Sequence, residues 1–360
     1  MLVITTNGTD PQMQTYVEPK LTDQEGHTLW LSMLDDVKEQ QLMAPSVART
    51  LVKLGILFVL LGPALALSWF QNSWWGLGLG YAGLSLLMAQ FAFIGHDAGH
   101  GAISGKAAIN RTLGQLSMTL VTGLAYDEWI ERHRAHHRFC QDEDRDPDMA
   151  VEIVVSLTEK SRGQKGAIGQ FMARCQFFHI WLLSLFFAQS QRHLSQAGVV
   201  KDLHRHQLDA GVLMGHFALW FGIPCLLWDV PVLTALMAYV IPLFILGPHL
   251  AAIFWVNHIG MPLVKRVEDF SFFEHQYVTS RSITNPPAWN WLFGGLNYQI
   301  EHHLFPLVPS IRLAAVQAIV RRHLALHRIP YHGVSWWHAV KSIARHLHVI
   351  ARPDRLQSGT

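Results

Sequence analysis

The sequence predicts an all-α integral membrane protein, with four transmembrane helices in two hairpins and a cytosolic helical cap. Three observations predict it. Half of the 360 residues are hydrophobic and only 15% are charged, too apolar for an ordinary soluble domain. Four long stretches carry almost no charge and fall into two pairs, each pair joined by a short tip. Lysine and arginine gather at the other ends of these pairs, among them Arg49, Lys53, Lys106, Arg111, Lys201, Arg205, Lys265 and Arg266. By the positive-inside rule, both termini and everything between the hairpins then face the cytoplasm.

Residues 1–45 are mixed and polar and read as a soluble N-terminal arm with one amphipathic helix near Leu29 to Leu42. They lack the basic start and short apolar run of a secretory signal. The first two transmembrane runs cover about 51–70 and 74–95. Their tip, Gln71-Asn72-Ser73, is flanked by Trp69, Phe70, Trp74 and Trp75, which suits a membrane–water interface. The second pair covers about 211–228 and 231–256, with Asp229-Val230 at the tip. At the helical rise, the last run is about 39 Å long against a hydrocarbon core of about 30 Å. It must therefore tilt, kink at Pro242 or Pro248, or project from the membrane.

The remaining chain forms the cap, 96–210 and 257–350, followed by a tail at 351–360. Within the cap, Leu113–Ala125 and Phe177–Ala188 are apolar but short for a crossing, and are expected as packed or interfacial helices. Ser310 is placed to cap a helix running to about His323.

Composition narrows the chemistry. A formal charge of +2 is too small for nucleic-acid binding. Cys140, Cys175 and Cys225 stand apart, so they supply neither a disulfide framework nor an iron–sulfur site. The outlier is histidine, with 22 residues. Three clusters stand out: His96-Asp97-Ala98-Gly99-His100, His133-Arg134-Ala135-His136-His137 and Gln299-Ile300-Glu301-His302-His303. Residues three and four apart share a helix face, so each cluster aims its nitrogens in one direction. With His258 these make eight imidazoles, more than one tetrahedral zinc uses and suited to two metals with open positions.

Asp146, in an acidic run that otherwise reads as a solvated turn, is placed to support these ligands, as are Asp97 and Glu301. Lone histidines such as His216, His332 and His346 read as structural.

The three boxes together closely resemble the membrane fatty acid desaturase family. Asn257-His258-Ile259, with Phe293-Gly294-Gly295-Leu296-Asn297-Tyr298-Gln299-Ile300-Glu301-His302-His303-Leu304-Phe305-Pro306, is similar to the front-end acyl desaturase branch. The similarity runs over roughly residues 50 to 345. It implies a site of two Fe ions in the cytosolic cap, held by His96, His100, His133, His136, His137, His258, His302 and His303. Gln299 stands where many relatives have a ninth histidine, and it and Asn257 are further ligating or supporting side chains. The implied reaction is O2-dependent insertion of a cis double bond into an acyl group carried on a lipid, CoA or carrier protein. No His-Pro-Gly-Gly haem motif occurs, so the electrons are expected from an external ferredoxin or cytochrome b5 type donor.

The same centre is compatible with hydroxylation, acetylenation or oxidation of another lipid such as a carotenoid. A zinc metallohydrolase is a different reading, disfavoured because His96-Asp97-Ala98-Gly99-His100 lacks the His-Glu-x-x-His glutamate. A histidine-relay transporter is disfavoured because the clusters lie outside the apolar runs. Replacing Gln299 by His is expected to keep iron while changing rate or regioselectivity, read by metal content and product analysis.

Overall fold

The structure, a computed structural model, describes residues 17–150 and 155–352. Residues 1–16 of the expected arm and 353–360 of the expected tail lie outside the described residues. Four helices are long and apolar enough to cross a membrane: Val47–Phe70, Trp74–Gly99, Gln207–Leu227 and Val232–His258. The last runs unbroken through Pro242 and Pro248. A further stretch, Gln176–Lys201, combines with Ala167–Ala173 across an 87° bend to make a fifth candidate. The helix expected at Phe177–Ala188 lies within this stretch, which runs on to Lys201. The helix continues through the polar Gln189, Ser190, Gln191 and Arg192, where an apolar-run criterion stops.

The chain divides into two compact units, the first of residues 1–44, 133–182 and 253–360 and the second of 45–132 and 183–252. In the second, Val47–Phe70 and Trp74–Gly99 are joined by three residues and pack closely. A Cβ added at Gly80 would lie 2.7 Å from Ser68 Oγ, and one at Gly83 3.6 Å from Ala64 Cβ. As one residue number rises the other falls, so the two helices run antiparallel, and the absence of a side chain at Gly80 permits the contact. Trp69, Tyr81, Val230, Ala235 and Ala238 form a small core in this unit.

The expected helix at Leu113–Ala125 is a packed one: Ala107–Gly114 continues as a π-helical stretch, Gln115–Thr122, ended by Gly123 at φ +73°. A helix end leaves carbonyls without partners, which is costly in apolar surroundings. Here His216 Nδ1 donates to Leu120 C=O at 2.9 Å and Trp220 Nε1 to Val121 C=O at 3.2 Å. Tyr239 OH donates to His216 Nε2 at 2.9 Å, which completes the ring. His216 therefore closes a helix end.

The first unit is built around an apolar stripe on Asp23–Glu39, whose start is closed by a Thr22/Glu25 capping box. Leu29, Met33 and Val37 recur every four residues and pack with Phe273, Tyr277, Ile300, Leu304, Val316 and Ile319. Trp30 Nε1 donates to Leu304 C=O at 3.2 Å, tying this helix to the third histidine box. Ser310 opens a 3-10 turn, Ser310–Arg312, ahead of the helix Leu313–Leu326 and does not cap it. Pro309 before it holds φ at −55° and leads the chain directly into the tighter turn. A two-residue parallel pair, Ser282–Ile283 with Gly333–Val334, is the named strand structure among the described residues.

Asp209 sets the start of the helix that carries the second box. Wholly buried, it accepts from Gln115 Nε2 at 2.7 Å and from the backbone N–H groups of Asp127 at 3.2 Å and Glu128 at 3.1 Å. Those two N–H groups belong to the first turn of Tyr126–Phe139. Asp209→Ala should cost about 2 kcal/mol of stability, read as a lowered melting temperature in detergent.

Candidate metal centre

Helical spacing does what the sequence suggests in the first unit. His133 and His137, four apart on Tyr126–Phe139, have ring centroids 4.7 Å apart. His302 and His303 sit on the short buried helix Gln299–Leu304, their rings nearly perpendicular at 88°. His258 is the last residue of Val232–His258. The rings of His136, His258 and His303 converge, with centroids 4.9 Å apart for His136–His258 and His258–His303 and 5.4 Å for His136–His303. His137 stacks on His303 at 4.2 Å and meets His302 with Nε2 atoms 3.0 Å apart. His133 stacks beside His302 at 6.3 Å.

Three of these imidazoles have Nδ1 held by an oxygen from a different part of the chain. His136 Nδ1 donates to Asp146 Oδ1 at 2.9 Å, His258 Nδ1 to Thr279 C=O at 3.1 Å, and His303 Nδ1 to Gln276 Oε1 at 2.7 Å. A proton fixed on Nδ1 leaves the Nε2 lone pair for a metal. His303 Nε2 is buried and has no hydrogen-bond partner. One ligand atom each from His136, Cys140, His258 and His303 lies within 4.8 Å of the others. This donor set fits a metal ion.

The electrostatics separate these side chains. Burial lowers the His303 pKa well below the ordinary value, reinforced by His137, His258, His136 and His302, so this ring stays in its neutral, ligating form. At His136 burial works the same way, but Asp146, with Cys140 and Asp148, outweighs it and raises the pKa well above the ordinary value. Metal binding there must release a proton. Burial pushes the Cys140 thiol up, keeping it protonated.

The hub of this arrangement lies outside all three boxes. The helix Phe272–Val278 starts at Ser271, whose side chain caps it through Glu274 N. Gln276 Nε2 donates to His137 C=O at 3.0 Å and to His275 Nδ1 at 2.9 Å, while its Oε1 takes the proton of His303. His275 Nε2 donates to Cys140 C=O at 2.9 Å. Two side chains thus close the carbonyl end of the helix bearing the second box and orient His303 of the third. Arg281, just beyond, does the same for the helix ending at His258, donating to Val256 C=O at 2.5 Å and to Ile259 C=O. Sequence reasoning missed Gln276, Thr279 and Arg281, because single polar residues in an unremarkable segment carry no spacing signal.

The supporting acids differ in role. Asp146 is held by the backbone N–H groups of Gln141 and Asp148, both at 2.9 Å, and presents its carboxylate to His136. Glu301 turns to the opposite side, accepting from Ser282 Oγ at 2.7 Å and Tyr331 OH at 2.8 Å. Burial raises its pKa. It anchors the short helix rather than touching a ligand. Gln299 Nε2 lies 2.9 Å from His258 Nε2, and Asn257 Nδ2 donates to Gln299 Oε1 at 3.0 Å. His96 and His100 belong to the second unit, their ring centroids 4.8 Å apart, with Asp97 Oδ1 3.7 Å from His96 Nδ1.

A sequence model of the family described as "Fatty acid desaturase" matches residues 72–335. The chain belongs to the fatty acid desaturase family. Among its relatives, Delta(8)-fatty-acid desaturase 1 of Arabidopsis thaliana is 30% identical over 273 residues, covering 71% of this chain and 60% of the relative. The Borago officinalis Delta(8)-fatty-acid desaturase is 28% identical over 286 residues, covering 75% and 63%. The sn-1 linoleoyl-lipid 6-desaturase of Synechocystis is 28% identical over 268 residues, covering 68% and 71%. The chain spans about three-fifths of the length of the curated relatives it first matches, 60% in two of them. Family and apolar helices together make it a multi-pass membrane protein.

Gln276→Leu should lower metal affinity by about 10- to 100-fold, measured by chelator competition on the purified protein. Gln276→Glu, which still accepts from His303, should lose less.

Proposed function

We propose that the protein carries out O2-dependent desaturation of a long-chain acyl group, of the front-end type, at a site of two iron ions. The observation that carries this is the convergence of His136, His258 and His303, each with its Nδ1 proton engaged, in a chain of the fatty acid desaturase family. The relatives' names, Delta(8)-fatty-acid desaturase and sn-1 linoleoyl-lipid 6-desaturase, support an acyl substrate and the front-end position. His133, His137 and His302 join the ligand set by their place beside these rings, and His96 and His100 by motif position.

An unactivated methylene has no proton acidic enough for a general base, and a diiron centre supplies the O2-derived oxidising power that its dehydrogenation needs. The overall balance takes two electrons from the acyl chain and two from a donor, reducing O2 to two waters. The chain's own residues do the rest. Thr279 C=O and Gln276 fix tautomers, Asp146 accepts the His136 proton, and burial keeps His303 neutral. The electrons come from a donor of ferredoxin or cytochrome b5 type. Both termini and the histidine boxes face the cytoplasm in this reading, with the metal-binding part spanning 46–350 between an N-terminal arm and a short tail.

The test is a fatty acid profile by double-bond position in a host expressing the wild type and His137→Ala. A new cis alkene with the wild type, lost in the variant, is expected. A hydroxylated product without any alkene would replace desaturation by hydroxylation, and zinc with O2-independent activity would remove the oxidative reading altogether.

A further inference from the structure

Gln299 occupies the third box where a ligand is anticipated, yet the hydrogen bonds around it run in one direction only. At one end stands Thr279 C=O, which can only accept; Cys140 Sγ, 3.4 Å from His258 Nδ1, turns its S–H to the same carbonyl, so His258 Nδ1 carries the proton and its Nε2 is bare. A bare Nε2 at 2.9 Å requires Gln299 to present N–H. At the other end stands Leu296 C=O, also an obligatory acceptor, 3.0 Å from Asn257 Nδ2. Asn257 therefore presents its amide nitrogen, and the second hydrogen on that nitrogen goes to Gln299 Oε1 at 3.0 Å. Two backbone carbonyls, from different segments, force the same polarity on every link between them. The amide assignment of Gln299 is thus set by the chain of bonds and not by its own outline.

Turning Gln299 over alone would face its oxygen to the His258 lone pair and its N–H to the Asn257 N–H. Turning both amides would set Asn257 Oδ1 against Leu296 C=O. Asn257 is wholly buried and Gln299 is 3% exposed, so bulk water is not at hand to repair either mismatch.

We propose that Gln299 is a fixed hydrogen-bond donor at the metal centre and not a ligand, because Asn257 holds its amide oxygen away from the pocket. The bond from Gln299 to His258 Nε2 and a metal bond at that nitrogen use the same lone pair and exclude each other. Metal binding at His258 frees the Gln299 N–H beside the ion, while the oxygen stays committed to Asn257. A histidine at position 299 would add a nitrogen ligand, whereas the glutamine supplies a neutral donor.

This rests on the two-iron reading above, and the experiment separates the two. Full-length protein is purified from cells grown on isotopically enriched iron, and iron content and Mössbauer spectra are recorded for the wild type, Gln299→Leu, Asn257→Asp and the double variant. Gln299→Leu should keep wild-type iron content and quadrupole doublets, since no ligand is lost. Asn257→Asp has no amide hydrogen to hold the Gln299 oxygen. It should alter one doublet, and Gln299→Leu in the same chain should abolish that change. Loss of about one iron per chain or a changed doublet in Gln299→Leu overturns the proposal. So does an Asn257→Asp spectrum identical to wild type, which also decides the matter if Gln299→Leu fails to fold. A wild type without iron overturns the two-iron reading itself, and this inference with it.

Discussion

An imidazole offers a metal a lone pair on one nitrogen only while the other keeps its proton, and a buried N–H needs an acceptor. Much of the first unit meets that requirement. Asp146, Thr279 C=O and Gln276 each take one Nδ1 proton, and each comes from a segment with its own reason to be rigid. Asp146 is clamped by two backbone N–H groups, Thr279 follows a capped helix, and Gln276 is held by the His137 carbonyl. The arrangement of these three imidazoles is therefore as stiff as their anchors, and each anchor is itself part of a helix end or turn.

The same device appears at three buried helix ends. His216 and Trp220 close one end, Arg281 another, and His275 with Gln276 a third. In every case a side chain from a neighbouring element does what water does at the surface. Burial lowers the Arg281 pKa to about 10, which still leaves the guanidinium charged near neutral pH and able to bind carbonyl oxygens. Polar residues scattered through an apolar sequence are accounted for here by the backbone.

The helices and the histidine boxes were legible because both depend on local spacing. Uncharged runs of about 20 residues announce spans, and His133, His136 and His137 announce a shared face through separations of three and four. What spacing does not encode is partnership across the chain. Glu301 lies within the third box and reads as a supporting acid, yet its carboxylate faces Ser282 and Tyr331. Gln276 lies 27 residues from His303 and was invisible until the fold brought the two together. The helical stretch Gln176–Lys201 was legible only over Phe177–Ala188, because its polar second half hides the continuation from a hydropathy reading.

The first unit is assembled from three stretches of chain, and its N-terminal helix is pinned to its last third. Lys20 and Leu21 donate backbone N–H groups to Glu274 across 254 and 253 residues, and Trp30 reaches Leu304 across 274. Contacts so distant in sequence form late, because the intervening chain must be made and arranged first. The apolar helices between them are synthesised before residues 272–304. Closure of the first unit therefore waits for those residues, and the apolar stripe of Asp23–Glu39 is without its partners through that interval. During synthesis this stripe stays uncovered, and His136, His258 and His303 come together only once the chain is nearly finished.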